Sequence, residues 1–557
     1  MQYTKAGQTD ADHLWLEEVE DENALSKVKS WNAASAAKMK TDTYKAMKAE
    51  LLEVYNSPEK IPYASYRAGK IHNFWQDDTH VRGIWRTATL ESYQSETPQW
   101  ETVLDIDALA ETEGKNWVYK GNDCLPPDYN RCMLTLSDGG KDAAIEREFD
   151  VKTKSFVKDG FALGEAKNGV AWRDKDHLLI GTNFGDGSIT DSGYPAIAKL
   201  WKRGTPIESA RELYAGRTDD VSVWAGTIEN TAGENEIIIV RASTFYDREY
   251  FWIPQTGANA FTPIRLDLPS KAVLSDQFKD QQLVTLRQDW SRDDGNEFTS
   301  GTVISFSISD FLKNGKIGEI TTVIVPSARQ SIENYAATKS TVLMSLYDNV
   351  AGGAYAFDFD GKVWQKTKLG FPENGNVSLG RTNAKEDIAF ISTESFLEPD
   401  TLWTVNTANM NIRKTKSLPS WFDAASMTAE QQFAISSDGT KIPYFIVHKK
   451  DMPLDGKNPA LLYGYGGFQV SLTPSYSATI GRAWLERGGV YVLANTRGGG
   501  EFGPNWHQAG LKTKRQIIYD DFIAVAEDLI DRKVTNPKHL GIHGRSNGGL
   551  LMGVMFT

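Results

Sequence analysis

The sequence predicts two folds in tandem: a seven-bladed β-propeller preceded by a helical segment, then an α/β unit on a largely parallel sheet. Three observations carry this expectation. From about residue 62 to 420 the chain reads as short alternating strands separated by Gly, Asp and Asn turns. Within that stretch an aromatic-bearing strand recurs at a period of about 50 residues, the spacing of propeller blades. Beyond "SLPSWFDAASMTAEQ" strands begin to alternate with amphipathic helical stretches, the mark of an α/β unit.

The elements follow in order. "DENALSKVKSWNAASAAKMKTDTYKAMKAELLEVY" is rich in Ala, Lys, Glu and Leu and lacks Gly and Pro, so it favours helix until "SPEKIP" breaks it. The recurring strands are "GIWRTATL" at 83, "EREFDV" at 146, "AKLWKR" at 198 and "EYFWIP" at 249, then "VISFSI" at 303, "AYAFDF" at 354 and "TLWTVN" at 401. Seven recurrences imply seven blades; a large β-sandwich or two barrels is the alternative. In the last third, "KIPYFIVHK", "PALLYGYGGF", "GGVYVLANTRGGGEFG" and "KHLGIHG" read as strands. "DDFIAVAEDLIDRKV" is a helix with Phe522, Val525, Ala526 and Leu529 on one face.

Composition narrows the partners. The 557 residues exceed one ordinary core, so more than one domain is expected. The net charge of −12, without a basic run, argues against nucleic acid and anionic membrane. No apolar run reaches the roughly 20 residues of a membrane span, and "MQYTKAGQTDADHLWLEE" has no apolar signal core. A cytoplasmic protein is expected; the alternative is a periplasmic one whose signal was removed. Cys124 and Cys132, in "NDCLPPDYNRC", are spaced for a small disulfide loop, but two cysteines in a long chain favour reduced thiols. No Cys or His pair stands nearby at zinc-ligand spacing.

The chemistry gathers in "HLGIHGRSNGGLLMG". Gly544-Arg545-Ser546-Asn547-Gly548 matches Gly-x-Ser-x-Gly, and it lies between a strand and a helix, the setting of a nucleophile elbow. In so tight a turn, side chains at positions 544 and 548 would strike backbone, and Ser546 must hold a strained conformation. An ordinary N-cap serine is the bland alternative. A serine nucleophile needs a base and oxyanion donors. The N–H of Asn547 is one candidate donor. The hydroxyl of Tyr465, in the glycine loop "LLYGYGGF", is a second, although core filling would also explain that tyrosine.

"SSDGTKIPYFIVHKK", "LLYGYGGF", "ANTRGGGEFG" with "WHQAG", and "GRSNGGLLMG", in this order and spacing, resemble the prolyl oligopeptidase family. "FWQDDTHVRGIWR" and "WETVLDIDALAETEGKNWV" also resemble that family's first blade, especially in bacterial members. The resemblance implies a serine peptidase in which a seven-bladed propeller caps an α/β-hydrolase domain. It divides the chain into a helical segment at 1–62 that packs on the hydrolase domain, as "WLEEVEDENALSKVKSW" would, a propeller at 63–422 and the hydrolase domain from 423. It implies Ser546 as nucleophile, Asn547 N–H and Tyr465 as oxyanion donors, and Phe468 and Asn547 as substrate contacts. Relatives that cut after Arg or Lys typically carry Ala after the serine and lack the Phe, so Asn547 and Phe468 lean towards proline. Arg545 departs from the Gly of many members.

Hydrolysis of short peptides after proline through an acyl-enzyme is therefore expected, with no metal or cofactor and a monomeric enzyme. The α/β-hydrolase order places Asp and then His after the serine, whereas all eight histidines precede Ser546. The 557 residues are thus expected to be part of a longer enzyme, inactive alone and poorly soluble without the C-terminal part of the catalytic domain as partner. Alternatives are an aminopeptidase, acyl-peptide hydrolase or peptide cyclase of the same superfamily, or a non-catalytic propeller that binds peptides.

Overall fold

The structure is a computed structural model that describes residues 12–18, 20–373 and 375–557. Residues 1–11, part of the expected helical segment, lie outside it. Two helices open the described chain, α1 (Glu22–Met39) and α2 (Asp42–Tyr55), capped at their N-termini by Asp21 and Thr41.

Seven antiparallel sheets follow, each made from one consecutive stretch of chain. They run 64–105, 117–166, 169–215, 222–265, 272–324, 330–368 and 376–417, and are blades 1 to 7. The aromatic strands that recur in the sequence are the third strand of every blade, from Ile84–Ala88 in blade 1 to Thr401–Asn406 in blade 7. The period is legible because this position repeats the same job: a strand paired on both sides, with large apolar side chains facing the neighbouring blade.

Packing between neighbours closes the ring. Trp85 and Val103 of blade 1 pack with Leu134 and Phe149 of blade 2. Comparable clusters join blades 2 and 3 around Met133 and Trp172, 3 and 4 around Leu213 and Ile239, and 4 and 5 around Tyr250 and Phe306. Others join 5 and 6 around Phe278 and Met344, and 6 and 7 around Leu343 and Ile391. The last seam, between blades 7 and 1, is filled by Ile71, Tyr93, Phe390 and Leu402. Among the described residues no strand is shared across that seam; side-chain burial holds it shut, helped by hydrogen bonds from Gly69 N–H to Glu386 Oε1 (3.4 Å) and from Arg413 Nη1 to Gln94 Oε1 (3.1 Å).

The cysteines correct the sequence reading. Cys124 and Cys132 are register partners on adjacent strands of blade 2 and are joined as a disulfide. Spacing along the chain could not reveal that the hairpin brings them opposite one another.

The α/β part is a five-stranded sheet: β1 (Met427–Ile435), β2 (Lys441–Lys449), β3 (Ala460–Tyr463), β4 (Val490–Ala494) and β5 (Leu540–His543), in the order β1-β2-β4-β3-β5. The first two pairings are antiparallel; β4 with β3 and β3 with β5 are parallel. Helices α3 (Pro504–Ala509), α4 (Gln516–Asp531) and α5 (Asn547–Met555) accompany it. Phe522, Val525 and Leu529 of α4 and Leu551 of α5 bury against Leu462 and Val492. Of the N-terminal helices, α2 docks here, through Glu53–Arg482 (3.4 Å) and Glu50–Arg487 (2.9 Å). Helix α1, within the segment expected to pack on this part, is exposed apart from the buried Ala24 and the half-buried Ala36.

Candidate active site

The strand β5 ends at His543, and α5 begins at Asn547. The turn between them holds Ser546 at φ 53°, ψ −118°, a strained conformation for a residue with a side chain. Its hydroxyl does not cap α5, and the residue is exposed. The N-cap alternative is thus not what the structure holds. Both glycines are required. A Cβ on residue 544 would stand 2.3 Å from the Gly548 carbonyl oxygen, and one on residue 548 would stand 2.6 Å from the Gly464 carbonyl oxygen.

The same close approach explains the glycine loops after β3 and β4. A Cβ on residue 467 would strike the Asn547 amide, and one on residue 498 would meet the Gly466 carbonyl oxygen at 2.7 Å. Three loops therefore meet backbone to backbone at the elbow. Asn547 stitches them together: its Nδ2 donates to the Tyr465 carbonyl at 2.6 Å, and its Oδ1 accepts from Arg515 Nη2 at 2.6 Å. This holds the Tyr465 backbone against the start of α5. The Asn547 N–H, at the first position of α5, has no acceptor among the described residues and sits at the positive end of the helix dipole.

Phe468 projects from the first glycine loop at φ 55° and is 53% exposed. It meets the propeller: its ring packs edge-on against Phe245, which lies between the second and third strands of blade 4, at 5.9 Å. The neighbouring Tyr246 hydroxyl reaches His507 Nε2 of α3 at 3.4 Å.

A family described as "Prolyl oligopeptidase, N-terminal beta-propeller domain" matches residues 4–417, and one described as "Prolyl oligopeptidase family" matches residues 474–557. The chain belongs to the prolyl oligopeptidase family. It is a serine peptidase built from a seven-bladed propeller and an α/β-hydrolase domain. It is 44% identical to an uncharacterized peptidase, y4nA, of Sinorhizobium fredii over 97% of this chain and 75% of that one. It is 37% identical to a prolyl endopeptidase of Elizabethkingia miricola over 92% of this chain and 69% of that one. Among solved structures, a post-proline cleaving enzyme from Rickettsia typhi superposes with a TM-score of 0.90 at 33% identity, covering 98% of this chain and 80% of that one.

Around the elbow of this prolyl oligopeptidase relative, no His, Asp or Glu among the described residues hydrogen-bonds the Ser546 hydroxyl. His543 stacks edge-on with Tyr463 at 5.2 Å on the strand entering the elbow. His507 is buried, and burial, with Arg287 and Lys271 nearby, pulls its pKa down to about 4. It is a neutral interface residue at neutral pH. Among the described residues, no three His, Cys, Asp or Glu side chains stand where they could share a metal ion, and no helix is long and apolar enough to cross a membrane.

Sequence reasoning missed Arg515, Phe245 and Tyr246. Arg515 lies in the short stretch "KTKR", where nothing separates it from a solvated charge. Phe245 and Tyr246 lie in a propeller loop far from every hydrolase motif in the chain. Only the fold brings them to the site.

Proposed function

We propose that the protein is a prolyl endopeptidase acting on short peptides. Ser546 attacks the carbonyl of a proline residue, and a histidine base held by a carboxylate takes its proton. The tetrahedral oxyanion receives hydrogen bonds from Asn547 N–H and the Tyr465 hydroxyl, and water releases the acyl-enzyme. Phe468 and the side chain of Asn547 line the pocket for the proline ring. The propeller, at 63–422 in this reading, covers the hydrolase domain that starts at 423 and excludes folded proteins. The enzyme acts as a monomer. The Cys124–Cys132 disulfide favours a periplasmic over a cytoplasmic location.

The observation that carries the reading is an exposed, uncapped serine hydroxyl at a positive-φ bend, beside a free helix-start N–H and a tyrosine-bearing glycine loop. The test compares succinyl-Ala-Pro-p-nitroanilide with the free-amine Ala-Pro and succinyl-Ala-Arg compounds. In the full-length enzyme, cleavage of the blocked proline substrate is expected, with a serine-reactive phosphonate labelling Ser546 and Ser546→Ala abolishing both. Preference for the free amine would make it an aminopeptidase; labelling elsewhere would end the assignment of Ser546.

A further inference from the structure

A cavity of about 600 Å³ lies inside the propeller, around the inner strands of blade 1 where they meet blades 2 and 7. Its charge is opposite to that of the molecule. The chain carries −12, yet the lining includes Arg67, Lys120 and Arg381 and no Asp or Glu.

Arg67 ends the first strand of blade 1. Its Nη2 donates to Asn122 Oδ1 at 3.0 Å, its Nε is sealed from solvent without an acceptor, and the guanidinium faces the Trp85 ring at 5.8 Å. Among the described residues it has no ion-pair partner. Asp123 is felt only from beyond ion-pair distance, and Arg381 repels it. Burial pulls its pKa down, but a guanidinium stays charged at neutral pH. A desolvated cation without a counter-charge is unfavourable unless something anionic reaches it. Around it stand aromatic walls, Phe74, Tyr119 and Phe390, and a Trp85 indole N–H that has no acceptor among the described residues. Fixed cations among apolar rings complement a carboxylate on an apolar body. The volume is that of a small-molecule site, and none of the residues around Ser546 lines it.

We propose that this cavity binds a small carboxylate with an aromatic or apolar body, its charge held by Arg67 and Arg381. The carboxylate is either the C-terminal end of a short peptide or a free aromatic acid. Calorimetric titration of the protein at pH 7 tests this with four probes: N-acetylphenylalanine, its amide, benzoate and inorganic phosphate. N-acetylphenylalanine should bind one to one, with the amide at least about tenfold weaker and phosphate weaker than the acids. Tighter binding of N-acetylphenylalanine than of benzoate identifies a peptide end, and comparable binding a free acid; either upholds the site. Arg67→Gln and Arg381→Gln should each weaken the acids by about tenfold or more. Because Arg67 packs against Trp85, its variant risks misfolding; Arg381 is exposed, so Arg381→Gln decides the matter alone. No heat with either acid, equal binding of acid and amide, strongest binding by phosphate, or unchanged affinity in Arg381→Gln would overturn the proposal. Undiminished binding in Arg381→Gln would place the ligand elsewhere, including the Ser546 site.

Discussion

Gly544 has no room for even one methyl group, and Ser546 sits in a backbone region that side chains disfavour; each makes sense only if the other does. The bend aims the hydroxyl outward and leaves the start of α5 uncapped, so unfavourable local geometry sets up the proposed chemistry. Gly544→Ala should therefore lose activity by losing the bend, seen as protein that fails to accumulate or to react with a phosphonate. Tyr465 allows a finer test. If its hydroxyl donates to the oxyanion only in the transition state, Tyr465→Phe should lower kcat by roughly 10²–10³ and leave KM nearly unchanged. A change confined to KM would make the tyrosine a binding or packing residue. Arg515 does not touch the proposed oxyanion position; it holds Asn547, which holds the Tyr465 backbone. Losing that charge-assisted bond in Arg515→Met should reduce kcat/KM by roughly tenfold to a hundredfold, with Arg515→Lys restoring part of it.

Among the elements, the loops that carry the motifs are tied by a buried ion network. Arg497, 6% exposed, follows β4; it pairs with the fully buried Asp521 of α4 at 2.6 Å and with Asp438 in the β1–β2 turn. Ser436 completes it by donating to Asp521 Oδ1 at 2.7 Å. Three segments that read in the sequence as separate motifs are thus one structural unit under the glycine loops. Removing Asp521 leaves the buried Arg497 with Asp438 as its one remaining counter-charge, so Asp521→Leu should destabilise the fold by up to roughly 3–5 kcal/mol. The double variant Asp521→Leu/Arg497→Met should recover much of that loss, and thermal unfolding of all three proteins checks it. This network marks a limit of legibility. The strand period, the elbow and the glycine loops could be read because each imposes a local rule: alternation, a steric limit, a strand-to-helix turn. Arg497 inside "NTRGGGEFG" and Asp521 inside "DDF" obey no local rule, and their pairing exists only across the packed sheet. The disulfide escaped for the same reason, since cross-strand register, not spacing, brought Cys124 to Cys132.

At the scale of the whole molecule, two contacts are unusual. The ring closes between blades 7 and 1 by side-chain burial and side-chain hydrogen bonds, and the propeller faces the hydrolase domain across a contact that contains a buried acid. Glu501, 1% exposed, lies in the second glycine loop. Its Oε1 accepts from Leu472 N–H at 2.9 Å and Asn495 Nδ2 at 3.3 Å, while Oε2 has no partner among the described residues. Burial pushes its pKa up to about 7, and Glu333 of blade 6 pushes in the same direction. In the unfolded chain the same carboxyl titrates near 4.5. Between those values the folded state holds a proton that the unfolded state has lost, so folding is favoured as pH falls. The contribution is fully present below about 4.5 and is lost as pH rises through about 7. Above that, the fold must keep a negative charge in a dry contact beside a second carboxylate, at a cost on the order of 3 kcal/mol. Glu501→Gln removes the charge and keeps the shape. Its thermal midpoint should lie nearest that of the parent protein at about pH 4.5, and the gap in its favour should widen from about pH 5 to 7 and then level off. Parallel curves for the two proteins between pH 5 and 7 would show that Glu501 is not the group that titrates.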